Sequence, residues 1–172
     1  MRNSLQLWFP QMVRALVTVL SLCSFAHAGE VVQEELELKV NGVTRKALVF
    51  RETGTSLERS PTLFVLHGGT PEPKRIIDDS RLDAVGTTRG YVVVFPEGTW
   101  SDHMGKAAAW NIGGLPGLVT QYAEDLEFFD ALADQLKPTS LFFTGISTGG
   151  GMAAVAGNEM EHKVDAVALV VG

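Results

Sequence analysis

Polar and apolar residues alternate through residues 33–40, Asn41-Gly42 interrupts them, and the alternation resumes through 43–50. A period of two turns one face of each run toward a core. Asn-Gly supplies the two positive-φ positions of a tight turn, so the pattern predicts a β-hairpin. A turn-rich stretch over 52–61 leads into Thr62-Leu63-Phe64-Val65-Leu66, an unbroken apolar run suited to a strand buried on both faces. Short apolar runs at 91–95, 141–144 and 166–170 predict three further strands, and the segments 76–88, 122–136 and 148–161 between them read as helices. In the middle helix Tyr122, Leu126, Phe129, Leu132, Ala133 and Leu136 recur at three- and four-residue spacing and form one apolar stripe. Strands alternating with helices imply right-handed crossovers and a parallel sheet covered on both faces. The expected class is therefore α/β, a mostly parallel sheet of about six strands opened by an antiparallel hairpin. Residues 96–120 show no period and carry Trp100, His103, Trp110, Asn111 and Gly113-Gly114-Leu115-Pro116-Gly117. An ordered loop of this length is the kind that carries function, and these aromatic and polar residues are candidates for lining a substrate cleft, although Trp100, Trp110 and the glycine-rich stretch are equally suited to packing.

Composition changes this picture mainly at the N-terminus. The chain has 172 residues, 45% hydrophobic and 20% charged, as expected for one packed domain. Residues 1–28 differ: Arg2 and Arg14 precede an apolar run over 15–22, and Ala26-His27-Ala28 places small residues at the two cleavage-specifying positions. The run is too short to span a bilayer, which needs about 20 residues, so a secretory leader cleaved after Ala28 is expected. Cys23, the single cysteine, follows Leu22 where lipidation wants a small residue, so the mature chain is expected to carry neither lipid nor disulfide. Removing the two leader arginines from 14 basic residues leaves 12 against 20 acidic ones, a net charge near −8. Such a surface disfavours nucleic acid and anionic membranes as partners.

Candidate chemistry centres on Gly145-Ile146-Ser147-Thr148-Gly149. A serine hydroxyl attacks well only when a base removes its proton and its oxygen is held out toward substrate. Ser147 falls between a predicted strand and a predicted helix, a sharp turn that wants glycine two residues before and after the nucleophile. The helix start also offers the N–H of Thr148 to a developing oxyanion. Upstream, His67-Gly68-Gly69-Thr70 follows the strand at 62–66, on the carboxyl edge where open parallel sheets bind ligands. The N–H of Gly69, or of Thr70, is expected to be the second oxyanion donor.

Together with the leader and the hairpin, His67-Gly68-Gly69, Val92-Val93-Val94-Phe95-Pro96-Glu97-Gly98, Trp110-Asn111, the Glu124-Asp125-Leu126 helix and Gly145-Ile146-Ser147-Thr148-Gly149-Gly150 carry a resemblance. The chain resembles, over about residues 33–172, the secreted polyhydroxybutyrate depolymerase and feruloyl esterase group of the α/β-hydrolases. The resemblance implies hydrolysis of small or polymeric carboxylic esters through an acyl-enzyme, with Ser147 as nucleophile, an Asp after a later strand and a His after the last one. It implies no metal and no organic cofactor.

The chain departs from that pattern after Ser147. The fold orders its triad Ser, Asp or Glu, then His, and the acidic and histidine residues that follow here are Glu159, Glu161, His162 and Asp165. A helix over 148–161 carries them about 20 Å away, whereas a base must lie within about 3 Å of the proton it takes. His162 is expected to be a surface residue near a helix C-terminus and His67 a structural hydrogen-bonding residue. His103 lacks a positioned carboxylate partner for the base role. The sequence thus reads as a leader, 1–28, and a partial α/β-hydrolase domain, 29–172, with the last two strands, the Asp and the His missing. Three functions are compatible: an exported serine esterase, a non-catalytic remnant or binding module of the same lineage, and a serine peptidase-like hydrolase. Secretion or a periplasmic location is expected for each.

Overall fold

The computed structural model describes residues 29–101, 106–112 and 122–170; the leader and its expected cleavage point lie outside the described residues. Strands β1 (Val31–Val40) and β2 (Val43–Glu52) pair antiparallel in full register from Val31↔Glu52 to Val40↔Val43. Their connection is the expected positive-φ turn, with Asn41 at φ 50° and Gly42 at φ 83°. The remaining order is β3 (Pro61–Leu66), α1 (Arg75–Ser80), α2 (Leu82–Thr87), β4 (Val92–Pro96), β5 (Thr99–Ser101), β6 (Ala107–Ala109), α3 (Tyr122–Leu136), β7 (Ser140–Ile146), α4 (Thr148–Glu159) and β8 (Ala166–Val170). Six strands form one sheet in the order β1-β2-β4-β3-β7-β8. Its β4, β3, β7 and β8 run parallel, and β2 joins β4 antiparallel.

The continuous apolar runs of β3 and β4 are explained by burial on two sides. Phe64, Leu66, Val92 and Val94 face α3 and α4, where they meet Phe128, Phe129, Leu132, Leu136 and Met152. Val65, Val93 and Phe95 face the other way, packing with Leu48 and Phe50 against Ile76, Ile77 and Leu82 of the α1 and α2 layer. Each layer removes several large side chains from water, at about 1.5–3 kcal/mol apiece, and this holds β3, β4 and β7 rigid beneath their carboxyl ends.

Three expectations about elements need correction. The single helix over 76–88 is two short helices, because Arg81 adopts a left-handed conformation (φ 54°) and its N–H caps Ile77 C=O. The stretch 96–120 is not all loop: β5 and β6 form a small antiparallel hairpin with Trp100 opposite Ala108. On α3 the buried stripe is rotated relative to the sequence pattern, with Asp125 and Phe128 fully buried and Leu126 only partly so.

Candidate active site

β7 ends at Ile146 and α4 starts at Thr148, so Ser147 alone makes the turn between them. Its backbone sits at φ 53°, ψ −121°, a region that side chains avoid at a cost of about 1–3 kcal/mol. Two hydrogen bonds hold it there: Ser147 N–H donates to Val170 C=O at 3.2 Å, and Ser147 C=O accepts the Gly151 N–H at 3.0 Å. The side chain faces solvent. The flanking glycines are required by space. A methyl at Gly145 would lie 2.4 Å from Gly149 C and O, and one at Gly149 would lie 2.3 Å from Leu66 C=O and 2.4 Å from His67 C=O. Thr148 begins the first turn of α4, where backbone N–H groups have no intrahelical acceptor. The Thr148 hydroxyl is itself buried without a hydrogen-bond partner among the described residues.

The turn after β3 meets this elbow because Leu66 and Gly145 are register partners in the parallel β3–β7 pair. Gly68 passes so close that a methyl on it would lie 3.4 Å from Ser147 Cβ. Gly69 is exposed and its N–H donates to no described residue. Thr70 corrects an expectation: its N–H is taken by Ala108 C=O at 3.0 Å, and its own C=O accepts the Ala108 N–H at 2.8 Å. Of the three expected backbone donors, those of Gly69 and Thr148 make no hydrogen bond to another segment among the described residues. On the α1 side a cavity of about 510 Å³ opens beside them, between Gly68, Ile76, Leu82, Thr144, Ile146 and Val170.

His67 is buried, and its Nε2 accepts the Gly98 N–H at 2.9 Å while Nδ1 lies 2.6 Å from Gly68 C=O. Nε2 must therefore be unprotonated and Nδ1 carries the hydrogen, so neither nitrogen is free to serve Ser147. Burial, the largest influence, pulls the imidazole below the ordinary histidine range, against opposing contributions from the Gly68 carbonyl, Glu97 and Asp125. Below about pH 6.5 the unfolded chain consequently binds more protons than the folded one, so the stabilisation by neutral His67 is present above that pH and is lost as pH falls toward the lower folded value. Urea unfolding midpoints should therefore drop between about pH 7.5 and about pH 5.5, and drop less in His67→Gln. Equal drops in the two proteins would show that another group is responsible.

The remaining candidates separate. Trp110 is a core residue rather than a cleft residue: it is 0% exposed, packs at a tilt against Phe129 and His67, and donates its indole N–H to His67 C=O at 2.7 Å. Trp100 is 52% exposed, its indole N–H bonded to Glu97 Oε1 at 2.8 Å on the rim of a groove with Glu72 and Lys74. Asn111 is half-buried and its N–H donates to Asp125 Oδ2 at 2.9 Å. His103 and Gly113-Gly114 lie outside the described residues. His162 is exposed beyond the far end of α4, about 18 Å along the helix axis from Ser147. Asp165 accepts the Leu141 N–H at 2.7 Å, at the end of β7 opposite the elbow.

A buried ion pair near the site was not foreseen as functional. Arg45 Nη2 and Asp125 Oδ1 are 2.7 Å apart, with side chains 8% and 0% exposed, and the guanidinium lies 4.5 Å from the Phe128 ring centre. Both charges stand at positions whose periodicity marks them as inward. Arg45 shares the parity of Ala47 and Val49, and Asp125 is one turn before Phe128 and Phe129. Among the described residues no three His, Cys, Asp or Glu side chains gather as a metal site would need.

No protein-family model matches the chain, and no curated protein matches it in sequence. Solved structures do match. A ferulic acid esterase superposes with a TM-score of 0.56 at 20% identity, over 81% of this chain and 59% of that one. FphF, a fluorophosphonate-binding serine hydrolase of Staphylococcus aureus with substrate bound, gives a TM-score of 0.62 at 16% identity, over 83% and 58%. S-formylglutathione hydrolase FrmB from the same organism gives 0.55 at 18% identity, over 81% and 59%. The chain thus spans 58–59% of the length of these solved chains. With its antiparallel opening hairpin, its parallel β4-β3-β7-β8 strands and its serine turn at their carboxyl edge, the chain has the α/β-hydrolase fold.

Proposed function

We propose that the protein is an exported carboxylic ester hydrolase in which Ser147 Oγ attacks the ester carbonyl. The N–H groups of Gly69 and Thr148 receive the resulting oxyanion, the alcohol leaves, and water releases the acid from the acyl-enzyme. The observation that carries this reading is the backbone of Ser147, a non-glycine residue held at φ 53° with an exposed side chain between two glycines that tolerate no Cβ. Such strain persists only where surrounding structure enforces it, and presenting a nucleophile is the use that explains it. The fold's solved neighbours, whose names include esterases and serine hydrolases, support the same reaction class. The acyl partner we favour is a hydroxyalkanoate, feruloyl or acetyl ester, small or polymeric. The leader favours a periplasmic or secreted site of action, and among the described residues no helix is long and apolar enough to cross a membrane.

A second reading, a binding module that keeps the elbow without turnover, is favoured by the histidines. Among the described residues His67 has both nitrogens occupied and His162 is remote, so neither brings a base to Ser147. The esterase reading thus assigns the base and its carboxylate to parts of the protein beyond the described residues. The purified protein should be treated with a fluorophosphonate probe and with 4-nitrophenyl acetate. Probe attachment at Ser147 together with turnover, both lost in Ser147→Ala, supports the esterase. Absence of both supports the binding module, and turnover that survives in Ser147→Ala removes the serine from the mechanism. Loss of turnover in His103→Ala would assign the base to His103.

A further inference from the structure

The geometry points to Arg45 and Asp125 as positioning residues for the Gly68-Gly69 turn, acting through the two arms of the β5–β6 hairpin. The inference rests on the reading of Gly69 as an oxyanion donor. The pair grips both feet of the hairpin. Arg45 Nη2 donates to Glu97 C=O at 3.2 Å on the first arm, and Asp125 Oδ2 accepts the Asn111 N–H at 2.9 Å on the second. The 2.7 Å ion pair between them closes the base, and Glu97 N–H ties the first arm to Lys46 C=O at 2.9 Å.

From that base the arms reach His67 and Thr70, the residues on either side of the two glycines. Gly98 N–H reaches His67 Nε2, the Trp110 indole reaches His67 C=O, and Ala108 exchanges both backbone hydrogen bonds with Thr70. The turn is consequently held at its shoulders while the Gly69 N–H donates to no acceptor among the described residues. A single methyl shows how close the clamp fits: at Gly98 it would lie 2.6 Å from Ala109 C=O and 3.1 Å from the His67 ring. A buried ion pair contributes little net stability compared with apolar residues of the same volume, so fixing geometry is the role that remains for it.

Stability and positioning can be separated with the double variant Arg45→Met/Asp125→Leu, which removes both charges and keeps the volume, and with Asp125→Asn, which keeps the shape and loses the charge. The readout is amide hydrogen exchange in the full chain. Thr70 and Gly98, whose N–H groups make clamp hydrogen bonds, are compared with Phe64 and Val93 in the core strands. The expected result in either variant is exchange at Thr70 and Gly98 faster by about tenfold or more relative to Phe64 and Val93, the equivalent of losing one hydrogen bond. Exchange that changes in parallel at all four amides would overturn the proposal and leave the pair a purely structural feature. Because the exchange readout needs no turnover, it stands even if the esterase reading fails. Where Ser147-dependent turnover is found, kcat should fall with KM nearly unchanged, and an unchanged kcat despite faster exchange would overturn the link to Gly69.

Discussion

Gly149→Ala is expected to destabilise the fold by about 3 kcal/mol and to remove the serine turn with it. The added methyl would sit 2.3 Å from Leu66 C=O and 2.4 Å from His67 C=O, well inside van der Waals contact with backbone that cannot rotate away. Those carbonyls belong to the end of β3 and the start of the Gly68-Gly69 turn, and β3 is fixed between β4 and β7. Relief must therefore come from α4 backing away from the sheet. That movement opens the contacts of Met152, Ala153 and Ala156 with the core and breaks the close approach of Ser147 to Gly68. A control lies across the contact. At Gly68 the same substitution meets only ordinary contacts of 3.4 Å with Ile146 C=O and Ser147 Cβ, and it should cost under about 1 kcal/mol. Urea unfolding of the two variants decides the matter: equal midpoints would show that the elbow is looser than its geometry implies.

What could be read from the sequence follows local chemistry. Asn41-Gly42 dictates its own turn, the run at 62–66 needs two apolar faces, and glycines spaced around Ser147 make sense only in a strand-to-helix turn. In each case the residues that specify the feature also form it. The features that escaped are specified from elsewhere in the fold. Arg81 is a non-glycine residue in a left-handed conformation, and the local mark of a break is slight, Ser80 Oγ accepting the Leu82 N–H at 3.3 Å. Ala107-Ala108-Ala109 has no strand preference of its own, and it becomes a strand because Trp100 and Thr70 flank it with backbone partners. Trp110 looked equally suited to a cleft or a core, and its indole found a buried acceptor in His67 C=O, which no periodicity could announce. Arg45 and Asp125 did leave a signal, a charge at an inward position in each of two amphipathic elements, and the two become intelligible only when paired across 80 residues of sequence.

That pair carries the other large expected effect. Asp125→Ala should cost about 3–5 kcal/mol, because it strands the Arg45 guanidinium in the core with Glu97 C=O as its remaining hydrogen-bonded acceptor among the described residues and leaves the Asn111 N–H without its acceptor. Arg45→Met is not the mirror image of this change. A carboxylate left alone still accepts the Asn111 N–H, whereas a stranded guanidinium has only donors and has lost its ionic partner. Arg45→Met should therefore cost less than Asp125→Ala. Removing both charges in Arg45→Met/Asp125→Leu should restore most of the stability lost in Asp125→Ala, since no uncompensated charge remains. Denaturant unfolding of the three variants measures each cost. If the double variant proved as unstable as Asp125→Ala, the penalty would lie in shape and hydrogen bonding around Phe128 rather than in the stranded charge.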